Sequence, residues 1–218
     1  MRLKKEIIYV GDPMCSWCYG FSKIKAQLVQ QCEGRAEVRY IAGGLHTDWT
    51  DAWDQKYRKF LRDHWIEIGQ RSGQPFKLDI LSKEDFVYNT GASCRAVVTA
   101  RELEGDLVCL DFFSVLQRAF YAENLDITDE EVLIKLALEF GLAENKFIPL
   151  FTAEETKTKT VQDYQRARSI GVTGFPTVIL RDGEEYGALT VGYQEYEYLQ
   201  PVVEAWLTES LEQSRRSR

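Results

Sequence analysis

The chain has 218 residues, of which 44% are hydrophobic and 28% charged. That length supports a core burying about 70% of the unfolded surface without disulfide staples. The composition excludes a disordered or collagen-like chain. A formal charge of −7, from 27 basic and 34 acidic residues, argues against a broad basic surface for nucleic acid.

The first segment, Glu6-Ile7-Ile8-Tyr9-Val10, is β-branched and aromatic, and Gly11-Asp12-Pro13 stops it. No apolar run approaches the roughly 20 residues of a membrane span. Ile7 to Val10 is too short for the apolar region, about 7–15 residues, of a secretion signal. The expectation is a cytoplasmic chain, mature at Met1, with neither membrane nor nucleic acid as partner. A helix is predicted from about Ser16 to Cys32, because Phe21, Ile24, Leu28 and Cys32 share one face. Lys23 and Lys25 read as its solvated face. A second strand is predicted over Glu37–Ala42.

From about Leu45 to Leu150 the pattern turns helical. Trp53, Tyr57, Phe60, Leu61, His64, Trp65 and Ile68 recur at helical spacing. Further helices are marked by Ala96 to Leu103 and by Phe112 to Phe120. Two capping-box spacings follow, Thr128-Asp129-Glu130-Glu131 and Thr152-Ala153-Glu154-Glu155. The second opens a helix to about Ile170. Then come a strand over Pro176–Leu180, an Asp182-Gly183 hairpin turn, a strand over Tyr186–Val191, and a helix bearing Leu199, Val203 and Trp206. The basic end at Arg215, Arg216 and Arg218 reads as a solvated tail. The order predicts an α/β fold: residues 1–43 with 151–218 form a discontinuous domain carrying a mixed sheet, and residues 44–150 form an inserted all-helical domain.

The five cysteines are Cys15, Cys18, Cys32, Cys94 and Cys109. An odd count at irregular spacing is not a disulfide framework. Cys32, Cys94 and Cys109 read as core thiols. No metal is expected, since no second close cysteine pair exists and His46 and His64 lack ligand-like spacing. Cys15 and Cys18 differ. They stand where the first strand hands over to a helix, and an i, i+3 pair on a helical turn lies on one face within disulfide reach. Cys15 at the helix N-terminus would be the more acidic thiol and the attacking sulfur. Cys18, one turn inside, would stay protonated longer and resolve the mixed disulfide. Asp12 reads either as a turn aspartate capping the helix or as a buried carboxylate that takes the Cys18 proton. Trp17 offers apolar contact to a peptide, or is a half-buried surface aromatic.

The segment Tyr9-Val10-Gly11-Asp12-Pro13-Met14-Cys15-Ser16-Trp17-Cys18-Tyr19-Gly20-Phe21 resembles the active-site region of DsbA-like thioredoxin-fold proteins, in the FrnE-like branch described as protein disulfide isomerases. Gly171-Val172-Thr173-Gly174-Phe175-Pro176-Thr177 resembles that family's cis-proline loop, and Phe120-Tyr121-Ala122-Glu123-Asn124-Leu125-Asp126-Ile127 part of its helical insert. The resemblance implies a thioredoxin-like fold and a thiol–disulfide oxidoreductase using Cys15 and Cys18. It implies a cis Phe175–Pro176 peptide facing the cysteines, with the Phe175 backbone pairing an extended substrate. Partners would be thiols or disulfides of proteins or peptides, with no cofactor beyond the cysteine pair and glutathione as an external reductant. Trp17 stands where strongly oxidising members carry histidine, so a less oxidising couple is expected. A couple near −150 mV against a cytosolic poise near −250 mV would favour the dithiol by roughly 4.6 kcal/mol. Two other readings stay open. DsbA-like adaptors present a client to a protease. Kappa-class glutathione transferases and 2-hydroxychromene-2-carboxylate isomerases share the insert, but carry a serine where Cys15 stands.

Overall fold

The structure, a computed structural model, describes residues 5–209. The basic tail and the start at Met1 lie outside the described residues. Strand β1 (Lys5–Gly11) is followed by helices α1 (Ser16–Gly20) and α2 (Ser22–Cys32) and by strand β2 (Glu37–Ala42). Five helices come next: α3 (Gln55–Ser72), α4 (Gly91–Glu104), α5 (Asp106–Glu123), α6 (Glu130–Phe140) and α7 (Glu144–Thr152), with a 3-10 turn at Asp79–Ser82. Helix α8 (Glu154–Ser169), strands β3 (Thr177–Asp182) and β4 (Glu185–Val191) and helix α9 (Tyr196–Thr208) complete the chain.

The four strands form one mixed sheet in the order β2-β1-β3-β4. β1 runs parallel to β2 and antiparallel to β3, with Ile8 opposite Arg39 on one side and Ile179 on the other. Ile7 to Val10 is buried throughout, because this central strand is covered on both faces. Alternation sorts its side chains. Ile8 and Val10 pack with Ile41, Ile179 and Ala167 of α8. Ile7 and Tyr9 join the larger core, which runs through α2 and α9 into the helical insert at Phe113 and Trp65. The architecture is a thioredoxin-like α/β fold with a helical insertion. No helix among the described residues is long and apolar enough to cross a membrane.

Several expectations are corrected. The helix from Ser16 breaks at Phe21. Gly20 approaches α3 so closely that an added Cβ would lie 2.8 Å from Ile68. The Ser22 hydroxyl donates back to the Tyr19 carbonyl at 2.6 Å, a bond that bends helices. The caps also shift. Asp129, not Thr128, caps α6 by accepting from the Glu131 amide. Thr152 instead ends α7, its hydroxyl donating to the Ile148 carbonyl at 2.9 Å.

Lys25 is not solvated. Only 4% of it is exposed. Its ammonium donates to the Leu110 carbonyl at 2.8 Å and the Ser114 hydroxyl at 2.7 Å, 4.9 Å from the Phe113 ring centroid. Burial holds its pKa down to about 8, well below the ordinary lysine range.

A second polar anchor joins insert and sheet. Asp163 of α8 accepts from the Ala42 amide at 2.9 Å and from Arg101 of α4 at 2.6 Å. Removing the guanidinium leaves a buried carboxylate uncompensated. Arg101→Leu is therefore expected to cost about 3 kcal/mol, read as a lower urea midpoint at unchanged slope; an unmoved midpoint would refute the anchor.

Lys25 generates a pH prediction. Its folded-state pKa lies below the unfolded value, so between about pH 8 and 10.4 the unfolded chain holds the extra proton. Stability then rises with pH through that window, by up to about 1.4 kcal/mol per unit. Relative to Lys25→Met, the natural chain is expected to gain stability from pH 8 to 10. A pH-independent difference would show an ordinary lysine.

Candidate active site

β1 ends at Gly11 and the chain turns through Asp12-Pro13-Met14 into Cys15. The turn closes on Asp12: its carbonyl accepts the Cys15 amide at 3.0 Å and its Oδ1 accepts the Met14 amide at 2.8 Å. Oδ2 takes three further donors, the Leu45 amide at 2.7 Å, the Thr90 hydroxyl at 2.7 Å and the Cys94 thiol at 3.2 Å. Burial raises the Asp12 pKa and these hydrogen bonds oppose the rise. The carboxylate thus ties the turn to the loop after β2 and to α4. None of its hydrogen bonds goes to Cys18; what reaches that thiol is the Asp12 backbone amide, which lowers its pKa. Two residues on, the Met14 carbonyl accepts from the Tyr88 hydroxyl and from Tyr121 at 2.5 Å.

Cys15 occupies the N-cap of α1, and its sulfur accepts the Cys18 amide at 3.3 Å. Its thiol points at the Phe175 carbonyl, 3.7 Å away. The Phe175–Pro176 peptide is cis. The loop is held by Thr177, whose hydroxyl donates to the Gly174 carbonyl at 2.7 Å, and by the Gly192 amide on the Pro176 carbonyl at 2.7 Å. Beneath it the Phe175 ring lies on the backbone of Gly43, where an added Cβ would sit 2.5 Å from the ring.

The two thiols are both unbonded and differently placed. Cys15 is 6% exposed and Cys18 fully buried. Burial pushes the Cys18 thiol well up, and Cys15 beside it adds to the rise. Tyr9 lowers it. This buried β1 tyrosine has no ordinary hydrogen-bond partner for its hydroxyl and turns it toward Cys18.

Trp17, half-buried between the cysteines, meets three side chains. His64 lies edge-on with centroids 5.6 Å apart, Tyr193 at 5.5 Å, and the Arg71 guanidinium over the ring at 5.7 Å. Burial lowers the His64 pKa, leaving a neutral imidazole near pH 7. His46 stacks on Trp49 at 4.2 Å and pairs its Nε2 with the Tyr57 hydroxyl at 3.1 Å. The remaining cysteines are buried. Cys94 is on Asp12, and Cys109 donates to the Asp106 carbonyl at 3.1 Å. Among the described residues no group of His, Cys, Asp or Glu is arranged to hold a metal ion.

The structure brings together Cys15, Cys18, Trp17, Phe175 and Pro176 from the two ends of the chain. Tyr9, His64, Arg71 and Tyr193 also belong to this neighbourhood: the sequence reads Tyr9 as a strand residue and His64 as packed in the insert, and gives Arg71 and Tyr193 no role. The i, i+7 spacing of His64 and Arg71 puts both on one face of α3, but only the tertiary fold turns that face toward Trp17.

Comparison with known proteins places this geometry. The family described as thioredoxin matches residues 8–201. A solved structure of a candidate protein disulfide isomerase from Nitrosomonas europaea superposes with a TM-score of 0.88 at 32% identity, covering 95% of this chain and 99% of that one. DsbM of Pseudomonas aeruginosa, a cytosolic disulfide reductase, superposes at 0.78 with 27% identity over 93% and 98% of the two chains; it is also known with GSH. Among curated proteins, the ClpXP adapter protein SpxH of Halalkalibacterium halodurans is 24% identical over 94% of this chain and 69% of its own length. SpxH of Bacillus subtilis is 22% identical, over 91% and 66%. The chain belongs to the thioredoxin family, in its DsbA-like group.

Proposed function

We propose that this chain is a thiol–disulfide oxidoreductase in which Cys15 is the nucleophile and Cys18 the resolving thiol. The observation that carries this reading is the asymmetry of the pair. Cys15 has the Cys18 amide on its sulfur and is the accessible member, whereas Cys18 is sealed and held protonated. The thiolate is the attacking species, and the accessible sulfur is the one a substrate disulfide can meet.

In the reducing direction, the Cys15 thiolate attacks one sulfur of a substrate disulfide. A Cys15–substrate disulfide forms and the other substrate sulfur leaves as a thiolate. Cys18 then gives up its proton and attacks the Cys15 sulfur. The second substrate thiolate leaves, and the Cys15–Cys18 disulfide remains. Two electrons have passed to the substrate. Two molecules of glutathione restore the dithiol and become glutathione disulfide. Phe175 and Pro176 would align an extended protein or peptide segment beside Cys15, with Trp17 as its apolar contact. Asp12 acts through the turn it holds. No cofactor beyond the cysteines is required. The likeness to a cytosolic disulfide reductase supports work in a reducing, cytoplasmic compartment.

The likeness to SpxH favours a second reading, an adaptor that presents a client to a protease. The cysteines separate the two. Cys18→Ser is expected to accumulate a mixed disulfide at Cys15 when mixed with a peptide disulfide, seen by mass spectrometry. Cys15→Ser should abolish turnover. The pair should titrate as a two-electron couple between about −150 and −270 mV in glutathione buffers. If no Cys15–Cys18 bond forms under oxidising conditions, the adaptor reading replaces this one.

A further inference from the structure

The guanidinium of Arg71 is fixed in place yet chemically unspent. It sits over the Trp17 ring at 5.7 Å and the Tyr193 ring at 4.8 Å. Cation–π contacts of this kind contribute on the order of 0.5–1 kcal/mol at exposed sites, enough to orient a long side chain. Among the described residues, no carboxylate lies within ion-pair distance of Arg71 and none of its N–H groups donates a hydrogen bond. Glu67, one turn earlier on α3, leaves it free. Glu195, near the same ring, accepts instead from the Tyr193 hydroxyl at 3.1 Å. A place in the last turn of α3 explains a cation there, but not its seat on two aromatic rings.

Two further facts give the feature direction. Trp17 is one of the two residues between the cysteines, so Arg71 rests on a side chain of the cysteine turn itself. The chain as a whole carries −7, so an unpaired cation beside the thiols is a local exception to an acidic background. Its planar fork matches a carboxylate, while neutral His64, which also meets Trp17, adds no charge.

We propose that Arg71, held by Trp17 and Tyr193, is the carboxylate-binding subsite of this active site, and that it selects anionic cysteinyl peptides of the glutathione class. This rests on the redox reading above. A carboxylate two backbone units from the reacting sulfur is roughly 7 Å away, a reach that spans one indole. The step served is balanced. Dithiol protein and glutathione disulfide give the Cys15–Cys18 disulfide and two glutathione thiols, with two electrons and two protons passing to glutathione; the reverse recharges the protein.

The test follows oxidation of the reduced full chain by alkylation and mass spectrometry, with glutathione disulfide and with the neutral bis(2-hydroxyethyl) disulfide. Arg71→Met is expected to slow glutathione disulfide about tenfold, the worth of one charge-assisted contact. The neutral disulfide should stay within about twofold, because the thiols are untouched. Arg71→Lys should recover part of the loss. Arg62→Met, on the opposite face of α3, removes the same net charge and should change neither rate. A capped peptide disulfide with glutamate beside its cysteine, compared with its glutamine counterpart, distinguishes a protein source of the carboxylate from glutathione. Equal slowing of both small disulfides, or none, would overturn the subsite. A natural chain inert to both would instead overturn the redox reading itself.

Discussion

One buried carboxylate organises this molecule. Asp12 ends the central strand, and its two oxygens receive donors from its own turn, from the loop after β2 and from α4. A carboxylate inside protein is costly unless its lone pairs are filled. Here four donors fill them, and each comes from a segment that must meet the others for the cysteine turn to exist. The sheet and the helical insert are thereby joined at the point where the chain delivers Cys15. The Met14 carbonyl, clasped by Tyr88 and Tyr121 of the insert, extends the same connection by two residues.

The proposed chemistry follows from unequal burial of two identical groups. A single helical turn separates the sulfurs, and it leaves one 6% exposed and the other fully buried. Desolvation penalises the Cys18 thiolate, while the Asp12 amide and the Tyr9 hydroxyl temper that penalty. In the proposed mechanism, packing sets the order of reaction. The loop from the far end of the chain places the Phe175 carbonyl 3.7 Å from the Cys15 sulfur, so residues from both ends of the chain meet at that atom.

Much of this was legible in the sequence. Strand β1 and the cysteine turn follow from a β-branched run broken by Gly11-Asp12-Pro13. The insert announces itself by aromatic residues at helical spacing. What was not legible depends on contacts between distant segments. Lys25 reads as solvated because a lysine is rarely buried, yet α5 covers it and supplies two acceptors. The break at Phe21 depends on Gly20 meeting Ile68 of α3. The cap of α6 moved by one residue because Asp129 and Thr128 are both competent, and Thr128 is taken by Asp126. Arg71 carries no local signal that it will lie on Trp17; tertiary packing alone brings it there.

The Phe175 ring resting on Gly43 has a consequence for how this scaffold tolerates change. The separation between the proline loop and Cys15 is gauged by bare backbone, with no side chain acting as a shim. A methyl at position 43 would meet the ring at 2.5 Å, and the displaced loop would carry the Phe175 carbonyl away from the sulfur. The clearance above the Cys15 thiol is therefore set by an atom that is not there, on a strand-end residue remote in sequence from both halves of the site.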